Sequence, residues 1–391
     1  MSEPSLRKKK AIITVVTNDY FHQVILLGKT IHLFEPGADF IVFLIGLNPP
    51  QECYDYCPFE LIDAKVLNSQ EWERFLFQYP GLAACCALKP RAIKETLLRY
   101  EKVIYLDSDM KLFHDLSEAW ERLDAAHLSL TPHRNGKPSV VAPVVSSMML
   151  RLSGIFNAGY VGSTPSLSDF LDWWWEQTHY NCLIDDFIIG IYLDQLYLHE
   201  AIGRVDRLDI FKHCGYNVAW WNFDQRKIKR HHDCYQVNGI PLALFHFSCS
   251  HFFIKNLKTF HWLSKRLEEI YFELYTNYIA ECAYYKNLLS IAAYPYDYFS
   301  DGEKISYDWR EYMRRDIPEL KEVDHPFDLT ATQRTQIEDI MKKRPEFFQP
   351  NETRIINNWR NSDLVHTRAL NKSDSYIRFL EKIIREHKML K

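Results

Sequence analysis

Short apolar runs alternate along the first part of the chain with longer stretches in which apolar residues recur every three or four positions. Residues 11–17 (AIITVVT) are apolar and β-branched and stop at Asn18 and Asp19, which predicts a buried strand meeting a loop. Residues 21–34 (FHQVILLGKTIHLF) predict a helix. Residues 40–46 (FIVFLIG) predict a second buried strand, closed by the Pro-Pro turn of 47–50, and 59–67 (FELIDAKVL) predict a short third one. Lys89 to Arg99 reads as a basic helix leading into the strand VIYL at 103–106. This alternation predicts a mostly parallel sheet flanked by helices, an α/β domain of the nucleotide-binding kind. Residues 132–147, with Pro132, Gly136, Pro138 and Pro143, read as loop, and 156–162 (FNAGYVG) as a strand edge. Residues 168–180 predict a helix with Ser168 as candidate cap, and 185–201 continue as helix. Residues 215–223 (GYNVAWWNF) and 242–253 (LALFHFSCSHFF) close this first domain, drawn at 11–254. Beyond it, 255–391 read as a mainly helical C-terminal extension. Its last stretch, 375–391, is an amphipathic basic helix suited to packing or to a membrane surface or partner.

A chain of 391 residues exceeds one small core, in keeping with a large domain plus an extension. A net charge of −4 gives no global basic field of the kind that gathers nucleic acid. Aromatic residues at 15% suit sugar or base stacking as well as core packing. The nine cysteines form no CxxC pair, which argues against a zinc knuckle and for reduced thiols in a cytoplasmic compartment. The opening MSEPSLRKKK carries no apolar core of a signal peptide, and no run is long enough to span a bilayer. Peripheral membrane contact stays open.

The chemistry concentrates where the strand VIYL runs into Asp107, Ser108 and Asp109. Two carboxylates this close repel, so they lie at a wet strand end or share a cation. Alternate residues of an extended segment face one side, so Asp107 and Asp109 can face one hard divalent ion, Mn²⁺ or Mg²⁺. Aspartyl-phosphate phosphatases also follow an apolar strand with DxD, but they expect Thr or Val where Lys111 stands. His246, after the apolar LALF, is a candidate third ligand or a structural histidine. Thr17, Asn18 and Tyr20 offer hydroxyl, amide and ring to a nucleobase at another strand end. Ligands in such sheets gather at the carboxyl ends of strands, so 17–19 and 107–109 are expected to share a crevice. Lys89 and Arg91 carry positive charge just below the DxD strand, where either can neutralise a diphosphate. Asn157 can bond sugar hydroxyls, and Gly159 beside it allows close backbone approach to a ligand. Trp173 to Trp175 cannot all face one way, since helical neighbours diverge by about 100°, and read as core.

In order along the chain, VVTNDY (15–20), KPRAIKETLLRYEKVIYLDSDM (89–110), FNAGYVG (156–162), YLDQLYL (192–198), GYNVAWWNF (215–223) and HFSCSH (246–251) resemble the motifs of GT-A fold nucleotide-sugar glycosyltransferases of glycosyltransferase family 8. That group includes glycogenin and the bacterial lipopolysaccharide galactosyltransferases. The resemblance covers about residues 11–254. It implies a Mn²⁺ or Mg²⁺ site at Asp107, Asp109 and His246. It also implies nucleotide-sugar contacts from Thr17, Asn18, Tyr20, Lys89, Asp107 and Ser108, with Lys89 matching better than Arg91. Asn157, Asp194 and Gln195 then lie beside the reacting sugar. The implied reaction moves a hexose from a UDP-sugar to a hydroxyl of a glycan, lipid-linked or protein acceptor, with retention at the anomeric carbon. The chain departs from the family where a glycine and a lysine usually follow the metal histidine. Cys249 and Phe252 stand there, leaving His251 or Lys255 to supply the charge, and the aspartate-rich form of the first loop is absent. Two rivals remain. A nucleotidyltransferase would carry a Gly-rich, Arg-containing loop after the first strand, which TNDYFHQ (17–23) lacks. A non-catalytic binding scaffold would have no need of the Asp107, Asp109 and His246 set.

Overall fold

Ten residues, Lys8–Thr17, form β1, buried from Ala11 onward. Their alternation divides the interior into two cores. Ala11, Ile13 and Val15 face one, and Ile12 and Val16 face the other. The computed structural model describes residues 7–136, 150, 153–182, 193–232, 234–248, 250, 269–314 and 323–343. After β1 come α1 (Phe21–Phe34), β2 (Asp39–Ile45), β3 (Glu60–Asp63), α2 (Trp72–Phe77), α3 (Gly81–Leu97), β4 (Tyr100–Leu106) and β5 (Met110–Leu112). Then follow α4 (Ser117–Ala125), β6 (Leu128–Pro132), β7 (Phe156–Ser163), α5 (Ser168–Asn181), the short α6 (Ala201–Arg204) and β8 (Leu208–Ile210). The small strands β9 (Ile228–His231), β10 (Cys234–Val237), β11 (Ile240–Pro241) and β12 (Leu244–His246) precede α7 (Glu269–Leu288), α8 (Tyr307–Arg314) and α9 (Ala331–Lys342).

Seven strands make one sheet in the order β3-β2-β1-β4-β7-β6-β8. β3, β2, β1 and β4 are mutually parallel, β7 runs against β4 and β6, and β8 is parallel to β6. Only β7 is reversed, so the sheet is mostly parallel. α1 covers one face, and α3 and α5 cover the other. Burial on both faces explains why these strands read as continuous apolar runs. Helices beyond residue 255 join both cores: Tyr271, Tyr275 and Tyr278 of α7 pack on the α1 side, and Trp309 and Tyr312 of α8 on the α3 side.

The fold corrects several expectations from the sequence. α3 begins at Gly81, not Lys89, and carries Pro90 inside it. A proline interrupts a helical pattern on paper, but here the small residues before it continue the helix. The third strand is only Glu60–Asp63; a turn follows, with the Asp63 carboxylate accepting the Lys65 N–H (2.9 Å). FNAGYVG lies within β7, between β4 and β6, with every residue of the strand buried, so it is no sheet edge. Ser168 is the first residue of α5 rather than its cap; the cap position is Leu167. Gln195–Glu200 forms a tight 3₁₀ turn, while 183–192 lie outside the described residues, as do Cys249, His251, Phe252, Lys255 and the terminal helix expected at 375–391. All eight described cysteines are free thiols. Among the described residues no helix is long and apolar enough to cross a membrane.

Candidate functional site

β1 and β4 are adjacent and parallel, so their carboxyl ends bring Thr17 and Asp107 to one edge of the sheet. Past β4 the chain turns tightly, with the Met110 N–H donating to the Asp107 carbonyl (3.1 Å). β5 then leaves the large sheet and pairs antiparallel with β12, setting His246 opposite Met110. This three-residue ribbon carries the histidine back to the two aspartates. Single donor atoms of Asp107, Asp109 and His246 all lie within 4.8 Å of one another. His246 Nε2 is 3.0 Å from Asp109 Oδ1 and 3.8 Å from Asp107 Oδ2. The imidazole is buried, and the carboxylates are about a quarter exposed (27% and 24%), so the cluster opens toward solvent on the aspartate side.

Asp107 divides its two oxygens. Oδ1 accepts from the Tyr105 hydroxyl (3.0 Å) and pairs with Lys89 (3.0 Å), leaving Oδ2 toward His246. Lys89 is buried; its ammonium also lies 3.1 Å from Asp194 Oδ2 and donates to the Ala158 carbonyl (3.2 Å). All three of its N–H groups therefore have partners. Burial alone would push its pKa down, but Asp107 and Asp194 outweigh it and hold the ammonium well above its ordinary value. Burial pushes the Asp194 carboxyl up, with Lys89 pulling it back. Arg91, the rival cation, points elsewhere and donates to the Leu67 carbonyl (3.1 Å).

Asp194 follows Leu193, which sits at φ +52°, a costly conformation for a bulky side chain. The turn is pinned from behind by the Trp174 indole N–H, which donates to the Asp194 carbonyl (3.0 Å). Gln195 is buried, donating to the Ser153 carbonyl (2.7 Å) and accepting from the Asn157 amide (3.3 Å). Asn157 Oδ1 accepts the Gly159 N–H (3.0 Å) and the Asn217 amide (2.9 Å), so both ends of its side chain are bonded within the protein. A Cβ at Gly159 would fall 2.6 Å from His246 Cε1 and 2.6 Å from Met110 Cε. On that side the glycine lies against the protein's own His246 and Met110 side chains.

The remaining candidates flank this network. Thr17 and Asn18 are buried, and the Asn18 amide donates to the carbonyls of Ala292 (2.8 Å) and Ala293 (3.2 Å). Tyr20 is half-exposed beside them (52%), with its ring stacked beside that of His22 at 6.0 Å between centroids. Ser108 Oγ donates to Gln23 on α1 (2.8 Å). Trp174 is fully buried, whereas Trp173 and Trp175 pack partly buried against the same core. Sequence reasoning does not single out Asn217 or Tyr105. Asn217 is wholly buried, and it and Asn222 are amides set in the aromatic stretch 215–223, which is the signal that could have marked it.

The donor set is two carboxylates and one imidazole, half-open to solvent, which fits a divalent ion such as Mn²⁺ that retains positions for other ligands. No known protein-family profile matches the chain. The uncharacterized protein YfnD of Bacillus subtilis (strain 168) is 27% identical over 247 residues, 60% of this chain and 76% of that protein. Among solved structures, the apo form of mouse xyloside xylosyltransferase 1 is similar with a TM-score of 0.40 at 15% identity, covering 62% of this chain and 98% of that one. The galactosyltransferase LgtC, in complex with donor and acceptor sugar analogues, gives 0.39 at 14%, covering 61% and 87%. At such scores the superpositions by themselves decide nothing about chemistry. The mostly parallel sheet and the sequence motifs resemble a GT-A fold nucleotide-sugar glycosyltransferase of the family 8 kind.

Proposed function

We propose that the chain is a metal-dependent glycosyltransferase that moves a hexose from a UDP-sugar to an acceptor hydroxyl with retention. The observation that carries this is the convergence of Asp107, Asp109 and His246 at the carboxyl end of β4, with Lys89 joining that cluster to Asp194. Asp107, Asp109 and His246 would hold Mn²⁺ or Mg²⁺, which when bound supplies electrostatic stabilisation of the departing diphosphate. Thr17, Asn18, Tyr20 and Ser108 line the nucleotide side, where the exposed Tyr20 ring offers a stacking face. Lys89 acts on the diphosphate side through Asp107. Asp194, Gln195 and Asn157 lie on the sugar side. Retention is supported by the state of Asp194: it is buried and paired with an ammonium, unlike a base held ready for an acceptor proton. Residues 11–254 constitute the transferase domain. The extension at 255–391 serves a glycan, lipid-linked or protein acceptor, or a peripheral membrane contact, in the cytoplasm.

The test is UDP release from a panel of UDP-sugars, with and without Mn²⁺, in the wild type, Asp109→Asn and His246→Ala. Release that needs both Mn²⁺ and the intact residues supports the reading. Equal Mn²⁺-dependent release by both variants would remove the metal assignment, and no release from any UDP-sugar would remove the donor.

A further inference from the structure

We propose that Asn217 is a positioning residue that fixes the His246 imidazole with its proton on Nδ1 and its Nε2 lone pair toward Asp107 and Asp109. This rests on the metal reading of the same cluster. A backbone N–H can only donate, and that of Gly159 reaches one side-chain end of Asn157 at 3.0 Å, so that end is the carbonyl oxygen. The same oxygen lies 2.9 Å from one end of the Asn217 amide, which must therefore be the NH₂. This NH₂ also reaches Thr131 Oγ1 at 2.8 Å. The opposite end of Asn217 is then an oxygen, and it stands 3.1 Å from His246 Nδ1. An oxygen there accepts, so Nδ1 carries the proton. In a neutral ring the other nitrogen is left with a lone pair, the form a histidine needs to bind a metal.

Reversing Asn217 alone would set two acceptors against each other at Asn157. Reversing Asn157 as well would set its NH₂ against the Gly159 N–H. Asn217, Asn157 and His246 are all buried, so water is not at hand to rescue either arrangement. The chain of bonds also joins the metal side to the sugar side, since the Asn157 NH₂ donates to Gln195 Oε1. The residue at 217 has a second constraint. Its φ is +52°, a conformation that Asn, Asp and Gly tolerate and most side chains do not. Asparagine meets both needs, the left-handed backbone and the donor-acceptor pair. The same constraint selects the variants for the test, because Asn217→Gly and Asn217→Asp both keep the backbone conformation accessible.

Mn²⁺ binding is measured directly, by the electron paramagnetic resonance signal of the free ion, with no sugar nucleotide present. The proteins are the full-length wild type, His246→Ala, Asn217→Gly, Asn217→Asp and the His246→Ala/Asn217→Gly double variant, each checked for cooperative melting. Loss of an outer partner of a ligating histidine typically weakens affinity about 10- to 100-fold, and that is expected of Asn217→Gly. The double variant is expected to bind no more weakly than His246→Ala alone, because Asn217 acts through the imidazole. Asn217→Asp keeps an acceptor for the Nδ1 proton but sets its other oxygen against Asn157 Oδ1, so it too is expected to bind Mn²⁺ more weakly than wild type. Asn217→Gly binding like wild type while His246→Ala fails would overturn the proposal alone. So would losses that multiply in the double variant, or an Asp variant that binds as wild type does. A wild type that binds no Mn²⁺, or His246→Ala binding as wild type does, would overturn the metal reading and this proposal with it.

Discussion

Lys89→Met is the substitution with the largest expected effect on folding. Methionine keeps the apolar stem of the lysine and deletes a buried ammonium that neutralises Asp107 at 3.0 Å and Asp194 at 3.1 Å. Removing one member of a buried ion pair costs about 3–5 kcal/mol, because the partner is left as an uncompensated buried charge. Here the stranded partner is chiefly Asp194, 2% exposed, since Asp107 keeps the Tyr105 hydroxyl and some solvent. A loss of about 4 kcal/mol at neutral pH follows, a large share of the roughly 5–15 kcal/mol that holds a typical domain folded. The pH dependence has a definite sign. Lys89 is charged in both folded and unfolded chains until pH exceeds the ordinary lysine pKa, so its own contribution is flat from acid to mildly basic pH. The Asp194 carboxyl titrates higher in the folded chain than in the unfolded one, so stability is gained as pH falls through that window. Deleting Lys89 removes the group that pulls this pKa down and moves the window upward. Urea unfolding at about pH 7.5 and about pH 5.5 therefore should find Lys89→Met less damaged at the lower pH. Adding Asp194→Asn should restore about 2 kcal/mol at the higher pH. A variant within about 1 kcal/mol of wild type, or one hurt equally at both pH values, would refute the claim that Lys89 is the counter-ion of this cluster.

Burial pushes the His133 imidazole down to about 4, so it stays neutral in the folded chain while the unfolded chain takes up a proton near pH 6.5. Stability is then lost as pH falls from 6.5 toward 4, by at most about 3 kcal/mol, and His133→Asn should flatten that part of the urea-midpoint curve; an unchanged slope would count against it. Asn18→Ala removes two hydrogen bonds to the Ala292 and Ala293 carbonyls and should cost about 1–2 kcal/mol. Hydrogen exchange across 291–299 should quicken, and unaltered exchange there would show that Asn18 does not hold the segment. Gln195→Ala should lower turnover far more than UDP affinity, since interactions made only in the transition state act on rate. NMR of the product from an α-linked UDP-sugar should show an α linkage; a β linkage would overturn retention and make Asp194 the catalytic base.

Much of the large sheet is legible in the sequence because its strands are long enough to carry a pattern. Phe21–Phe34 reads to its observed ends because polar residues bound an apolar stripe. β12 is announced by the apolar run LALF that leads into His246, but β5 escapes such reading, because MKL is three residues and too short for any period to register. Yet their pairing is what carries His246 to the aspartates. The start of Gly81–Leu97 is hidden because Pro90 inside it breaks a rule about the interiors of helices. The aspartates and histidine are legible as residue types, while their separations depend on pairing that only the fold supplies. Asn217 is the least visible. Its bonds reach 29 residues forward to His246 and 60 residues back to Asn157, and nothing local marks either partner.

The charges of the site explain why these parts occur together. Asp107, Asp109 and Asp194 bring three carboxylates to one strand end, and Lys89 contacts two of them. Its ammonium contacts Asp107 Oδ1 and Asp194 Oδ2, whereas Asp107 Oδ2 and Asp109 Oδ1 face His246. One ammonium does not offset three carboxylates, and the outer side, farther from Lys89, keeps the larger share of the negative charge. A diphosphate entering the same crevice adds negative charge, and in a partly desolvated site that repulsion is stronger than in water. If the donor is a nucleotide diphosphate, as proposed, positive charge between the outer carboxylates and the phosphates favours its binding. Lys89 cannot move there without stranding Asp194 in the interior. The lysine is thus fixed as part of the floor, and under the proposed function the positive charge on the open side would come from a divalent cation held by Asp107, Asp109 and His246.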